Sequence, residues 1–173
     1  MKFFTPDLYV RLQRPDVADM DAADADWEDA EGRYERRLAA VRDKLPDSAL
    51  KLLDGVRLHD AEVFWMGQTG PFFAILLKRD SPLSGTVLMT YRTVDKVRLN
   101  SNAFASEFRA TLMQWMYDEV DLGSRPDCFR HSVLFSNGSQ LEVEADEVQI
   151  ATVDTLYASN PKPCTPSTPT SKT

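Results

Sequence analysis

Glycine and histidine are scarce in this sequence, and each shortage weakens a class of catalytic chemistry. The chain has seven Gly in 173 residues, and it contains no P-loop, no dinucleotide-binding fingerprint and no G-x-S-x-G sequence. Phosphate-binding loops built from backbone amides are therefore not expected. Only two His are present, without an HExxH spacing, so no motif specifies a third metal ligand. We predict no cofactor, and a divalent metal stays a minor alternative.

Positive charge, cysteine and long apolar runs are also in short supply. The formal net charge of −7 argues against nucleic acid or an anionic membrane as a partner, because both attract clustered Lys and Arg. No apolar stretch approaches a bilayer span, and Pro6 and Asp7 interrupt the first apolar run before it reaches signal-peptide length. A disulfide between Cys128 and Cys164 would restrain little, because Cys164 lies in a Pro-rich tail. These features predict a cytoplasmic protein with no membrane partner and no nucleic-acid partner.

Residues 1–55 have a mainly helical pattern. Between residues 16 and 46 the acids come early and Arg and Lys come late, which is the order that complements a helix dipole. Pro46 ends this helix, and a shorter one follows, with Asp47 or Ser48 as N-cap and Gly55 as a left-handed terminating residue. The opening TPD, residues 5–7, fits either a short edge strand or a helix start. Five apolar residues of the longer helix recur at helical spacing and form one stripe: Trp27, Tyr34, Leu38, Val41 and Leu45.

Residues 56–153 have a mainly β pattern. Three runs rich in β-branched and aromatic residues are separated by clusters of turn formers: VRLHDAEVFWM, PFFAILLKR and GTVLMTYRTVDKVRL. They predict consecutive antiparallel strands. Residues 104–120 fit either a helix or a strand, because helical spacing and the alternation of Met113, Trp115 and Tyr117 overlap there. We favour a strand from about Thr111, since the aromatic content rises at that point.

The strongest local signal is Asn137-Gly138 between two alternating runs, which predicts a β-hairpin. A two-residue loop would pair apolar residues with polar ones across the two strands. A three-residue loop over 136–138, with Gly138 in the left-handed region, keeps one face apolar. That register pairs Val133 with Leu141, His131 with Val143 and Phe129 with Ala145.

Together these patterns predict an α+β fold. N-terminal helices would pack on a mainly antiparallel β-sheet that forms a meander with a closing hairpin. The size and composition fit one domain over residues 1–158. The tail, residues 159–173, is rich in Pro, Ser and Thr and has little to bury, so we expect it to be disordered.

The segment RLHDAEV, residues 57–63, places His59 beside Asp60 and raises the question of a catalytic pair. Neighbours in a regular strand point to opposite faces, so these two side chains would not form a direct dyad unless a bulge intervened. His59 and His131 each fall on a mainly apolar strand face and could meet there. With an acid such as Glu144 they would form a minimal metal or acid–base site. The alternative is that both are ordinary structural histidines.

Cys128 is a further candidate for catalysis. Arg125, Arg130 and His131 lie near it in the sequence and could lower the pKa of its thiol. A small residue at a strand end is the simpler interpretation. The acids between Asp118 and Glu147 are expected at alternating, solvent-facing positions, where a solvated or docking surface explains them better than glycosidase chemistry.

Two surfaces are candidates for binding a protein. The acids early in the long helix lack the Gly and Glu positions of an EF-hand loop, so we interpret Asp24, Asp26 and Asp29 as a solvated docking surface. Aromatic residues suggest the second surface, because Phe64 and Trp65 are neighbours with opposite strand parity. Either the sheet is covered on both sides or it exposes an aromatic patch.

Several short segments, taken in order, resemble an uncharacterised bacterial family, a domain of unknown function. They are the opening MKFFTPDLY, an acidic helix with Trp27 and Tyr34, the LHDAEV strand, the WMYDEVD segment and the closing HSVLFSNGSQLEVE hairpin. The resemblance spans most of residues 1–153 and leaves out the tail. It implies a bacterial cytoplasmic protein and no particular activity.

Two functions are compatible with these features. The first is a non-enzymatic protein-interaction module with an acidic surface, analogous in size and charge to bacterial immunity proteins, which would bind a basic protein. The second is a small metal-dependent hydrolase or ligand-binding enzyme that uses His59 and His131. Self-association through a sheet edge or an aromatic face is a third interpretation, and it would make the chain a homo-oligomer.

Overall fold

The structure is a computed structural model that describes residues 1–13, 17–79, 85–100 and 112–154. It has the predicted α+β fold, while the predicted disordered tail lies outside the described residues. The helices are α1 (Pro6–Leu12), α2 (Val17–Val41) and α3 (Asp47–Gly55), with a 3₁₀ turn at Arg42–Lys44. The strands are β1 (Glu62–Thr69), β2 (Phe72–Arg79), β3 (Gly85–Thr93), β4 (Arg98–Asn100), β5 (Trp115–Leu122), β6 (Phe129–Phe135) and β7 (Gln140–Asp154). Within these ranges no helix has the length and apolar character needed to cross a membrane.

The N-terminal segment, for which the sequence left two alternatives, begins a helix. Thr5 is the N-cap of α1, and its hydroxyl accepts a hydrogen bond from the N–H of Leu8 at 3.3 Å. Pro6 occupies the first turn, where a helix has no use for the N–H that proline lacks. The helix buries Leu8, Tyr9 and Val10.

The predicted N-cap of α3 is wrong. α2 ends at Val41, and the 3₁₀ turn carries the chain to Pro46, which occupies the N-cap position without a side-chain hydrogen bond. Asp47 is already helical. The hydroxyl of Ser48 accepts a hydrogen bond from the N–H of Val148 on β7 at 3.2 Å, so it fixes the helix to the sheet instead of capping it.

The predicted C-terminus of α3 is also different. Gly55 is the last helical residue, and its φ is not positive, unlike that of Gly70 and Gly138. The chain continues at Val56 with φ −135 and ψ 120, which is extended backbone. A left-handed residue is therefore not needed to end this helix.

The strands form one antiparallel sheet in the order β1-β2-β3-β7-β6-β5, and β4 pairs with β7 beside this path. β1 to β3 form the predicted meander, and β6 and β7 form the closing hairpin. The first part of β7 pairs with β6 and β4, and its later part pairs with β3. The sheet curls, because Glu62 at the start of β1 forms a bridge with Gln114 just before β5.

The β6–β7 hairpin has the predicted register: Val133 pairs with Leu141, His131 with Val143 and Phe129 with Ala145. The loop is closed by a hydrogen bond from the N–H of Gly138 to the carbonyl of Phe135 at 2.8 Å. The N–H of Phe135 donates to the carbonyl of Ser139 at 3.0 Å. Gly138 has φ 76, the left-handed conformation that the three-residue loop requires.

The ambiguous segment ends as a strand, β5, which begins at Trp115 and not near Thr111. Residues 101–111 lie outside the described residues. Trp115 pairs with Phe135 but Tyr117 pairs with Leu134, so Met116 is an extra residue in the strand. This bulge reverses the alternation of side chains along β5.

The main core lies on the inner face of the curled sheet and is closed by α3 and the C-terminal part of α2, through Val41, Leu45, Ala49 and Leu52. A second, smaller cluster forms where α1 and α2 meet the other face of β5. Its members are Phe4, Leu8, Trp27 and Ala30, with Tyr34 and Tyr117 packed against them. In the part of the chain that the structure describes, the outer face at the β1 end of the sheet is left to solvent.

Candidate functional site

His131, a predicted site residue, is fully buried and belongs to a chain of polar side chains. Its Nδ1 is hydrogen-bonded to the hydroxyl of Tyr91 at 2.8 Å, and its Nε2 is hydrogen-bonded to Oδ2 of Asp118 at 3.1 Å. The indole N–H of Trp115 donates to Oδ1 of Asp118 at 3.0 Å. We call these four residues the His131 network, and it joins β3, β6 and β5 across the core.

The electrostatics of the network fit a carboxylate beside an imidazole. Burial raises the pKa of Asp118, but the hydrogen bond and charge of His131 and the Trp115 hydrogen bond outweigh it, so the pKa lies below its ordinary value. Because a carboxylate only accepts hydrogen bonds, the bond between these two side chains runs from the Nε2–H of His131 to Asp118. Burial, and then the charge of Asp118, raise the pKa of the Tyr91 phenol well above its ordinary value.

The His131 network satisfies polar groups in the core, and His131 itself has no surface open to a substrate. Both ring nitrogens of His131 have partners, and none of the side chain is exposed. The arrangement therefore stabilises the fold. Sequence reasoning missed Tyr91, Asp118 and Trp115 as partners. The sequence does show that Asp118 and Val120 share one face of a strand. This predicts a contact between Asp118 and His131 only when Val120 is known to pair with His131.

His59 lies in a turn before β1, which corrects the strand predicted for residues 57–61. Asp60 has φ 66, and its N–H donates to the carbonyl of Trp115 at 2.8 Å. His59 Nδ1 is 3.0 Å from Asp60 Oδ2, with the two side chains 51% and 67% exposed. The His59 ring packs edge-on against Tyr117, with 5.3 Å between ring centroids. In a regular strand the side chains of His59 and Asp60 would point to opposite faces. In the turn they are in contact at the surface.

The side chains predicted for a metal or acid–base site have separate partners. His59 contacts Asp60, His131 contacts Asp118, and Glu144 contacts Ser124. Across the described ranges, no group of three or more His, Cys, Asp or Glu side chains is placed so that it could hold a metal ion.

Glu144 is buried, whereas the sequence placed it on a solvent-facing position. Its Oε1 accepts hydrogen bonds from the N–H of Ser124 at 2.6 Å and from the Ser124 hydroxyl. Burial raises the pKa of Glu144, but these hydrogen bonds and the charge of Arg130 outweigh it and lower the pKa overall. Glu144 therefore fixes the β5–β6 loop to β7.

Glu119 is a second acid that is buried and not solvent-facing. Its carboxylate accepts three backbone hydrogen bonds, from the N–H of Lys2 at 2.8 Å, of Phe3 at 2.7 Å and of Phe4 at 2.8 Å. We call this contact the Glu119 clasp. It attaches the N-terminal segment to β5 and places Phe4 in the smaller apolar cluster.

A surface cleft of about 610 Å³ lies between the α2–α3 connection and the β5–β6 loop, and Cys128 is part of its lining. Cys128 is a buried free thiol. Burial raises its pKa, and the acids Asp146 and Glu144 add to this effect, while Arg125 opposes it. The net pKa is above the ordinary value, which favours the simpler interpretation of Cys128 as a small residue at a strand end over a reactive thiol.

The predicted docking acids Asp24, Asp26 and Asp29 are exposed on α2. Asp26 forms an ion pair with Arg11 at 2.7 Å, and Asp29 forms one with Arg33 at 3.0 Å. Part of the negative charge of this surface is therefore already compensated by neighbouring Arg side chains.

Four large apolar side chains are exposed on β1, β2 and β3: Phe64 (72%), Trp65 (53%), Phe72 (50%) and Leu88 (39%). The register places Trp65, Leu76 and Leu88 side by side across the three strands. Phe64 is an extra residue between Val63 and Trp65, and this bulge lets both aromatic neighbours be exposed. Of the two alternatives drawn from the sequence, the structure shows the exposed aromatic patch. We call Phe64, Trp65, Phe72, Leu76 and Leu88 the outer apolar face.

Gly67 shapes this face. The ring of Trp65 lies so close to it that a Cβ atom added to Gly67 would be 2.6 Å from the nearest ring carbon. The absence of a side chain at Gly67 therefore allows the indole to lie against its own strand. Because the indole lies along the sheet and does not project from it, a second surface can pack closely against this face.

No protein-family model matches this sequence, and a search of curated proteins finds no match either.

Proposed function

We propose that this chain is a non-enzymatic protein-interaction module that binds through the outer apolar face. The observation that carries the proposal is the exposure of Phe64, Trp65, Phe72 and Leu88 on one side of three neighbouring strands. Exposed apolar area costs about 25 cal/mol per Å², and contiguous patches of this kind on folded domains mark interaction sites. Aromatic residues also supply much of the binding energy at protein interfaces.

The enzyme alternative has less support. His131 is enclosed, His59 and Glu144 have other partners, and burial raises the pKa of the Cys128 thiol. No shared position for a substrate arises from these side chains.

The acidic surface of α2, with a basic protein as partner, is the less favoured docking site, because Asp26 and Asp29 already have Arg partners. The proposal keeps the cytoplasmic location expected from the sequence.

The proposal is tested by the apparent mass of the chain in an extract of the cells that naturally produce it. The wild-type chain should elute from a sizing column well above its own mass of 19.6 kDa. A Trp65→Ser/Phe72→Ser variant should elute as a single chain, because it loses two aromatic anchors. Leu99→Ser is the matched control, since Leu99 on β4 is as exposed as Trp65, at 53%. Elution of the wild type as a single chain in the extract, together with a monomer at every concentration of the purified chain, would contradict the proposal.

A further inference from the structure

We propose that the partner of the outer apolar face is a second copy of this chain, packed face to face about a two-fold axis. This inference rests on the proposed function and specifies its partner. Three features of the face lead to it: its charge, its area and the strand at its edge.

The charge of the face separates it from the rest of the molecule. At one end Glu62 and Lys78 are register partners, and at the other Arg92 contacts Asp146 at 2.7 Å and Glu147 at 3.4 Å. Among the residues that the structure describes, three acids and two bases thus give this face a charge of −1, although the chain carries −7. A basic partner would gain little attraction here, and a second acidic chain meets little repulsion.

The two ends are also compatible with a self-complementary contact. When the second copy is turned end for end, the end with Glu62 and Lys78 meets the end with Thr69 and Phe72 of the other copy, according to the strand register. Lys78 then approaches the ring of Phe72. Glu62 meets the end that carries Arg92 together with Asp146 and Glu147.

The area fits a reversible dimer. Eight residues along β1 and β2 and the three strands that carry the face give a patch of about 26 Å by about 14 Å, or roughly 370 Å² of flat area per copy. Two such patches bury less than the roughly 1,200 Å² of a standard specific interface, which fits a weak and reversible dimer.

The edge strand does not carry the residues that usually prevent association. β1, EVFWMGQT, is the end strand of the sheet and contains neither Lys nor Pro. Natural sheets use these residues to keep other chains from an exposed edge. The start of β1 is bonded to the residues before β5, through Glu62 with Gln114 and Val63 with Met113, so the missing Lys and Pro matter for the later part of β1.

Sedimentation equilibrium of the purified full-length chain, from about 1 to about 100 µM, tests the inference. We expect a reversible monomer–dimer equilibrium that Trp65→Ser weakens at least about 30-fold. Leu99→Ser should leave it unchanged. Phe64→Lys, at the most exposed position, is a second variant that cannot act through loss of core packing, and it should also weaken the dimer. Raising NaCl from about 0.05 to about 0.5 M should not dissociate it, because the contact is apolar and not ionic.

The outcomes separate this inference from the proposed function. A monomer at every concentration, together with a large complex in the extract that Trp65→Ser/Phe72→Ser abolishes, would overturn the second copy and keep the interaction module. A dimer that survives Trp65→Ser and Phe64→Lys would place the self-contact on another surface and overturn the inference as well. Dissociation by salt would show that the self-contact is ionic and would also overturn the inference.

Discussion

The imidazole of His131 and the carboxylate of Asp118 are hydrogen-bonded at 3.1 Å between neighbouring strands, in the inner layer of a curled sheet. The hydroxyl of Tyr91 occupies the other ring nitrogen. In a sequence, a histidine near several acids suggests catalysis. In the structure, both ring nitrogens of His131 are hydrogen-bonded to core side chains and are not free to act on a substrate. A buried network of this kind is costly to break, because each partner left behind lacks a hydrogen bond in a poorly solvated position.

His131→Leu should therefore destabilise the chain by about 2–4 kcal/mol, since the hydroxyl of Tyr91 and the carboxylate of Asp118 lose their common partner. Urea unfolding followed by tryptophan fluorescence measures the change. His59→Leu is the control, and with an exposed side chain it should stay within about 0.5 kcal/mol of the wild type. Equal effects of the two substitutions would show that the network is not what makes His131 important.

The stability of the fold should fall in acid partly through Asp118. Its folded pKa is below the ordinary value of 3.8, so its contribution is fully present above that value and is lost as the pH falls through the folded pKa. Asp118→Asn should be less stable at neutral pH and should lose less stability below about pH 4 than the wild type does. Urea titrations across this range give the slopes, and Asp29→Asn on the surface of α2 should keep the wild-type slope. Parallel slopes for wild type and Asp118→Asn would refute the assignment.

The Glu119 clasp predicts a local effect on the N-terminal segment. Glu119→Gln leaves one carbonyl oxygen for three N–H groups and turns an amide nitrogen toward them. We expect amide exchange at Lys2, Phe3 and Phe4 to accelerate at least about tenfold, with a loss of about 2 kcal/mol of stability. Glu35→Gln, on the exposed side of α2, should change neither quantity. Unchanged exchange in Glu119→Gln would mean that the apolar contacts of Phe4 hold the segment alone.

Cys128 should be an unreactive thiol. In a Cys164→Ser chain it is the single cysteine, and burial both limits access to it and raises its pKa. Labelling with a disulfide reagent at about pH 8 should be at least about 100-fold slower in the folded chain than in urea. Rapid labelling of the folded chain would reopen a catalytic or redox role for the cleft beside the β5–β6 loop.

Features encoded by neighbouring residues could be predicted from the sequence. Asn137-Gly138 and the alternation on both sides of it specify the hairpin loop and its register, because only one register keeps Val133 and Leu141 on the same apolar face. The apolar spacing along α2 is also local, but the stripe divides between the two clusters: Trp27 and Tyr34 pack in the smaller one, and Val41 and, beyond the end of α2, Leu45 pack in the main core.

Features that depend on distant contacts could not be predicted. The turn at His59 and Asp60 is held by a hydrogen bond to the carbonyl of Trp115, which no local pattern reveals. The bulges at Phe64 and Met116 each reverse strand parity, so an argument from alternation fails beyond them. For this reason the contact between Asp118 and His131 appears only when β5 and β6 are paired.

The position of β7 in the middle of the sheet limits the order in which the strands can assemble. The meander β1–β2–β3 and the hairpin β5–β6 are joined by the ladders of β7, which pairs with β3 along one half and with β6 along the other, and by a short bridge between Glu62 and Gln114. During synthesis β3 and β6 therefore have no ladder partner on their β7 side until the segment from Gln140 onward has left the ribosome. Until then the edges of β3 and β6 are open to pairing with the wrong chain, which makes the interval before β7 docks the stage at which this protein depends most on low concentration or on a chaperone.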